Sequence, residues 1–292
     1  MSQVRIPGWW VLFLCSVVVG AADRAVSQTP TPSPTPAPTA AADPVERASW
    51  QGELTGASLL EVSNPFGDLR LRYGGSGRTV EVSVALQQLD PAGSRLELVV
   101  NEKDDRATVR VVRNAAAEPP PATHGEDHSR ADMVVMVPRG IAVRAWTDRG
   151  LAESVGLESD VELETSAGQI RVRSTSGRVT AHSDRGQIMA MLLAGVTKAP
   201  QRFSTVTGSI EVWVTDSCAF DVALATSGRL ITDFSLQVEH HDREEPDKVG
   251  MVRVGAGGQS LELRSRRGDL SIRRLVEQDQ LAVPRTDGGT EP

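Results

Sequence analysis

The chain has 292 residues, 39% of them hydrophobic but only 4% aromatic, and a formal net charge of -7. That acidic balance gives a nucleic-acid partner no electrostatic support, and the composition suits a narrow core of Val, Leu, Ile and Ala. The length beyond about residue 43 is enough for one sizeable domain or two closely packed ones.

Arg5 precedes an apolar stretch at 9–19, and the small residues Gly20, Ala21 and Ala22 follow. This is the order of a secretory signal peptide. The apolar run is shorter than the roughly 20 residues a membrane-spanning helix needs. A cleaved leader over 1–22 is therefore read in preference to a retained membrane anchor, with export to the periplasm, cell surface or exterior. Cys15 does not read as a lipidation site, because Leu14 stands where a small residue is expected. TPTPSPTPAPTAAA comes next. Alternating proline favours an extended polyproline II spacer, so 23–48 is read as a disordered Thr/Pro-rich linker.

Between Leu59 and Trp146 the segments EVS, TVEVSVAL, RLELVV, ATVRVVR, MVVMV and IAVRAW alternate well but show weak glycine spacing. They predict a less regular β-rich part, antiparallel or mixed. GGSGR at Gly74 lies between LRLRY and TVEVSV and reads as a hairpin or loop rather than a phosphate cradle. EPPPATHGEDHSR, at 118–130, puts His124 and His128 beside Glu126 and Asp127. Those side chains can bind a divalent metal. The proline cluster and the lack of HExxH spacing favour a solvated loop instead.

DVELETSAG, QIRVRSTSG and RVTAHSDRG then run head to tail, which places Gly168, Gly177 and Gly186 nine residues apart. Two positions after each glycine stand Ile170, Val179 and Ile188, and four after stand Val172, Ala181 and Ala190. Apolar residues alternating with polar ones make a strand with one inward face. The Gly, Ser, Thr and Asp segments supply corners. Self-similarity at a fixed period marks a solenoid, in which a coil buries its apolar face only when a neighbour stacks on it. Two units close a flattened coil, pairing each strand in parallel with the one eighteen residues on. A three-sided coil is the alternative closure. The eighteen-residue register sets Asp160 beside Arg178 and Glu164 beside His182, with no like-charged column. The signature returns around Gly67, Gly150, Gly208, Gly228 and Gly268, at intervals that imply insertions.

The expected fold is all-β. It is a β-solenoid, parallel β-helix-like, with short strands and glycine-containing turns. The repeats are clear from about 147, after the less regular part, and the whole domain spans 49–274. End caps are expected in the strands before Trp146 and in the tail after Arg274, and 275–292 reads as a flexible tail.

Removal of the leader leaves Cys218 as the single thiol, so no intramolecular disulfide is available. With no His or basic residue near it in DSCAFDVAL, Cys218 reads as a buried small hydrophobe. His240 and His241 read as a polar excursion between strands. There is no GxSxG elbow, no P-loop and no GxGxxG between strand and helix. The outward columns mix Asp, Gln, Arg, Thr and Met, with no carboxylate pair for acid–base work. The repeats also lack the paired glycines and Asp of calcium-binding nonapeptides. No catalytic, cofactor-binding or metal residue is assigned, and no cofactor.

SNPFGDLRLRY, TSAGQIRVRSTSGRVTAHSDRGQI and SRRGDLSIRR resemble the bacterial putative-adhesin family, a domain of unknown function built on Gly-x-[Ile/Val/Leu]-x-[Val/Ala] strands. The resemblance covers roughly 59–274. It implies an exported or envelope-associated β-solenoid-like domain with no catalytic residues to carry over. The leader, the Thr/Pro spacer and the insertions near His124 and His240 depart from the simplest pattern. The expected role is a non-enzymatic adhesive or structural binding module of the cell envelope, whose ligand is a cell-wall glycan, lipid or protein. An envelope-stress sensing or regulatory module ranks second and a carbohydrate-active β-helix enzyme third.

Overall fold

Alternating side chains become strands throughout the computed structural model, which describes residues 4–5, 45–54, 58–87, 95–103, 105–114, 129–193, 197–242 and 244–275. Apart from Val4 and Arg5, the leader lies outside these residues. So do the linker up to 44, His124 with its acidic neighbours and His128, and the tail beyond 275. The first strands are β1 (Val4–Arg5), β2 (Val45–Glu53), β3 (Leu59–Ser63), β4 (Leu69–Tyr73), β5 (Thr79–Gln87), β6 (Arg95–Lys103), β7 (Arg106–Asn114) and β8 (Arg130–Val137). The glycine repeats form β9 (Ala142–Thr147), β10 (Ala152–Val155), β11 (Val161–Thr165), β12 (Ile170–Arg173), β13 (Val179–Ser183), β14 (Ile188–Leu192), β15 (Gln201–Thr205) and β16 (Ile210–Val214). The last are β17 (Phe220–Thr226), β18 (Leu230–Thr232), β19 (Leu236–His240), β20 (Lys248–Val254), β21 (Gln259–Ser265) and β22 (Leu270–Arg274).

No helix occurs among the described residues, and the strands form two open mixed sheets. The 12-stranded sheet runs β1-β6-β7-β3-β9-β11-β13-β15-β21-β17-β20-β19, and the 10-stranded sheet runs β18-β22-β16-β14-β12-β10-β4-β8-β5-β2. Successive strands from β9 to β16 fall alternately in the two sheets. Val161 pairs in parallel with Val179 and Ile170 with Ile188, which is the eighteen-residue register. Asp160 Oδ1 accepts the Arg178 backbone N–H at 2.9 Å, and Glu164 lies opposite His182. Where the chain inserts residues after Leu192 the step lengthens, and Val179 pairs with Gln201 and Ile188 with Ile210.

Ile170, Val179 and Ile188 are each 0% exposed, so the +2 positions point inward as the period requires. With Leu163, Phe203, Val212 and their neighbours from both sheets they belong to one hydrophobic cluster. Full burial of each such aliphatic side chain contributes about 1.5–3 kcal/mol.

At one corner of the stack the glycines form a column. A Cβ on Gly150, Gly168, Gly186, Gly208 or Gly268 would sit against the carbonyl oxygen of the glycine one layer away, so only glycine allows this backbone approach. A buried hydroxyl three residues earlier seals each corner. Thr165 Oγ1 accepts Gly168 N–H at 2.8 Å, Ser183 Oγ accepts Gly186 N–H at 2.7 Å, Thr205 Oγ1 accepts Gly208 N–H at 3.0 Å and Ser265 Oγ accepts Gly268 N–H at 2.7 Å. Ser183 and Ser265 also donate to the glycine carbonyl of the adjacent layer, at 3.3 and 3.0 Å. Buried backbone groups must find partners, and this ladder supplies them.

The early strands are mixed, as their weak periodicity implies. The pairs β2–β5, β5–β8 and β6–β7 are antiparallel, whereas β3 and β4 pair in parallel with neighbours on both sides. GGSGR is a loop and not a hairpin: β4 and β5 each pair with β8 rather than with one another. Strand β2 begins at Val45, inside the segment read as linker. VERASWQGE aligns residue for residue with β5, and Trp50 packs on the core.

At the opposite end the order departs from sequence order. Strand β21 lies between β15 and β17, and β22 lies between β16 and β18. The chain therefore leaves one layer open after β16, builds β17 to β20, and returns to fill the gap. Among the described residues, the cover at this end comes from the antiparallel β17, β20 and β19. Gly255, Gly257 and Gly258, with φ of 57°, 73° and 122°, make the turn that sends the chain back.

Candidate functional site

Inward positions are uniform by necessity, so any chemistry that distinguishes this chain lies on the outward positions. On the shorter sheet the outward residues of three neighbouring strands bring together Arg171 and Arg173 of β12, Met189 and Met191 of β14, and Trp213 of β16. The register places Arg171 opposite Met189, Arg173 opposite Met191, and Met191 opposite Trp213. Side chains two residues apart share a face and stand about 7 Å apart along the strand. Arg171–Met189 and Arg173–Met191–Trp213 thus form two parallel walls that cross the strands. Between them lies a groove of about 540 Å³, floored by Val172 and Ala190 and reached at one end by Leu275.

The walls differ in charge along their length. Arg171 Nη1 lies 3.7 Å from Glu153 Oε1, a loose pair, because Glu153 is already engaged by Arg72. The Arg173 guanidinium has no hydrogen bond or ion pair to any other described residue. At the other end Glu211 follows Met189 in the same row. The groove is therefore cationic over β12, apolar over β14 and aromatic over β16.

A smaller recess of about 180 Å³ lies on the longer sheet, around Trp146 with Glu61, Arg110, Arg144 and Glu164. Glu61 Oε1 is held by Arg106 at 3.2 Å and by Arg144 at 3.7 Å, and Arg144 also reaches Glu162 at 2.7 Å. These alternating charges satisfy one another across strands, as an exposed sheet face requires.

Other residues singled out by sequence fall elsewhere. Cys218 is buried, with Thr215 Oγ1 at 3.3 Å and the Leu192 carbonyl at 3.5 Å. His240 ends β19, and the His241 backbone N–H donates to the Asp247 carbonyl at 2.8 Å in the turn towards β20. His182 Nδ1 lies 2.9 Å from Ser204 Oγ, and its Nε2 lies 3.3 Å from Asp184 Oδ1. Sequence reasoning assigned no role to Arg171, Arg173, Met189, Met191 or Trp213. Their signal was the outward half of IRVR, IMAML and IEVWV, where two Met and a Trp stand in places that polar residues usually fill.

No family model matches the chain, and no curated protein matches it. Among solved structures, a putative cell adhesion protein of Clostridium sporogenes is similar over 80% of this chain and 100% of its own, at 11% identity and a TM-score of 0.47. A putative adhesin of Bacteroides fragilis is similar over 79% of this chain and 97% of its own, at 12% identity and a TM-score of 0.38. A further putative adhesin, from Parabacteroides distasonis, covers the same shares at 11% identity and a TM-score of 0.24. The solved structures similar to this chain thus carry the description that the sequence resemblance gave. At such identities and scores the chemistry has to be argued from the chain itself.

Proposed function

We propose that this chain is an exported, non-enzymatic β-solenoid that acts as an adhesive or structural binding module of the bacterial cell envelope, with the groove on its shorter sheet as the contact site. The charged, apolar and small-residue order of 1–22 supports export, and the Thr/Pro-rich stretch supports a spacer between an envelope surface and the folded strands. The eighteen-residue parallel register and the alternation of β9 to β16 between two sheets support the solenoid reading. The observation that carries the binding role is the groove itself: an exposed apolar channel with an arginine that no described neighbour neutralises. Concave, mostly apolar surfaces with a few convergent polar groups are where ligands bind. Methionine lining adapts to a flexible guest.

The test is capture of isolated cell envelopes by the purified chain, compared with Trp213→Ala and Met191→Ser. Envelope binding by the parent and its loss in both variants, with unchanged melting, is the expected result. Equal binding by parent and variants would move the contact site off the groove.

A further inference from the structure

Resting on the binding role just proposed, we infer that the groove takes a single-chain anionic amphiphile, with its acidic group over Arg171 and Arg173 and its hydrocarbon chain along Met189 and Met191 towards Trp213. Three features of the groove select this class of ligand. Its two walls enclose a volume of about 540 Å³, which has room for one extended hydrocarbon chain and none for a folded domain. Its length runs from β12 across β14 and β16 to Leu275, the residue that follows β22, three inter-strand spacings or about 14 Å, which suits a medium-length acyl chain. Its polarity is graded: Arg171 and Arg173 lie over β12, Glu211 over β16 would repel an acid placed there, and Arg273, which follows Trp213 in its row on β22, is engaged by Asp233 at 3.4 Å.

The arginines also differ in availability. Arg171 has Glu153 at 3.7 Å, but the Arg173 guanidinium has no described partner, so an incoming carboxylate or phosphate displaces no existing ion pair there. A planar guanidinium binds such an acid through two parallel N–H donors. Trp213 and Leu275, the latter only 6% exposed, line the far end and give the terminal methyl group apolar neighbours.

The experiment uses the purified chain and three probes below their aggregation concentrations: dodecanoate, dodecanol and acetate. Dodecanoate is expected to bind, dodecanol about tenfold or more weakly for want of a charged hydrogen-bond partner, and acetate not measurably. Arg173→Gln should bring dodecanoate down to the level of dodecanol, and Met191→Ser should weaken both, with parental melting in each variant. Equal affinity for dodecanoate and dodecanol, or no effect of Arg173→Gln, overturns the anionic assignment. If dodecanoate fails to bind while envelopes are still captured in a Trp213-dependent way, the amphiphile inference falls and the binding role stands; if neither binds, both fall.

Discussion

The Ser183 hydroxyl ties its own corner to that of Gly168: it accepts the Gly186 N–H at 2.7 Å and donates to the Gly168 carbonyl at 3.3 Å, eighteen residues before Gly186. One buried side chain thus satisfies two backbone groups in adjacent layers. Ser183→Ala removes both bonds and leaves a donor and an acceptor unpaired away from water, at about 1–3 kcal/mol. Ser183→Thr keeps the hydroxyl in a place that Thr165 and Thr205 already fill in neighbouring layers, and should cost far less. Urea denaturation of the two variants checks this, and equal losses would show that the hydroxyl is not what matters.

Gly186→Ala is expected to be worse than loss of the hydroxyl. The new methyl would meet the Gly168 carbonyl, which is backbone held in a paired layer and cannot rotate away. Overpacking a fixed site costs about 1–3 kcal/mol, and more where the backbone must move. Gly77→Ala makes the control, since no atom lies within 4 Å of its added carbon and only its φ of 61° opposes the change. Melting temperatures should rank parent, Gly77→Ala and Gly186→Ala in descending order.

The repeat was legible because burial and backbone pairing constrain the same nine positions over and over. Ile170, Val179 and Ile188 therefore identified the inward face, and Asp160 with Arg178 identified the register. The end architecture was not legible. Pairing of Gln201 with Leu261 joins residues sixty apart, and no local pattern tells a returning strand that it belongs between β15 and β17. The groove stayed hidden for a different reason. Outward residues obey no period, and Met191 and Trp213 become neighbours only through the lengthened step after Leu192.

A direct test of the inward face sets adjacent residues against each other. Ile170 is fully buried, whereas Gln169 is exposed. Ile170→Asp forces an unpaired carboxylate into the apolar cluster and costs several kcal/mol, comparable with the whole stability of about 5–15 kcal/mol. Gln169→Asp should change stability by no more than about 0.5 kcal/mol. Soluble yield and denaturation curves distinguish them, and a well-folded Ile170→Asp protein would overturn the assignment of that face.

Acid should loosen the last layer before the rest. The Asp269 carboxylate accepts the Arg229 side chain at 2.7 and 3.0 Å and the Arg229 backbone N–H at 2.8 Å, and these bonds hold its pKa below the ordinary value. Nearby, Arg267 and then Arg266 depress the Glu245 carboxyl in the same way. A carboxyl whose folded pKa is depressed binds fewer protons folded than unfolded. Its contribution is therefore present above the unfolded value near 4 and is lost as pH falls through the lower folded value. Both pairs are solvent-exposed, so the effect is small and weakens with salt. Arg229→Gln should lower stability at pH 7, and the gap from the parent should narrow as pH is taken below about 4. Denaturation of the two proteins across that range at low salt checks the sign, and a gap that widened in acid would contradict the assigned pairing.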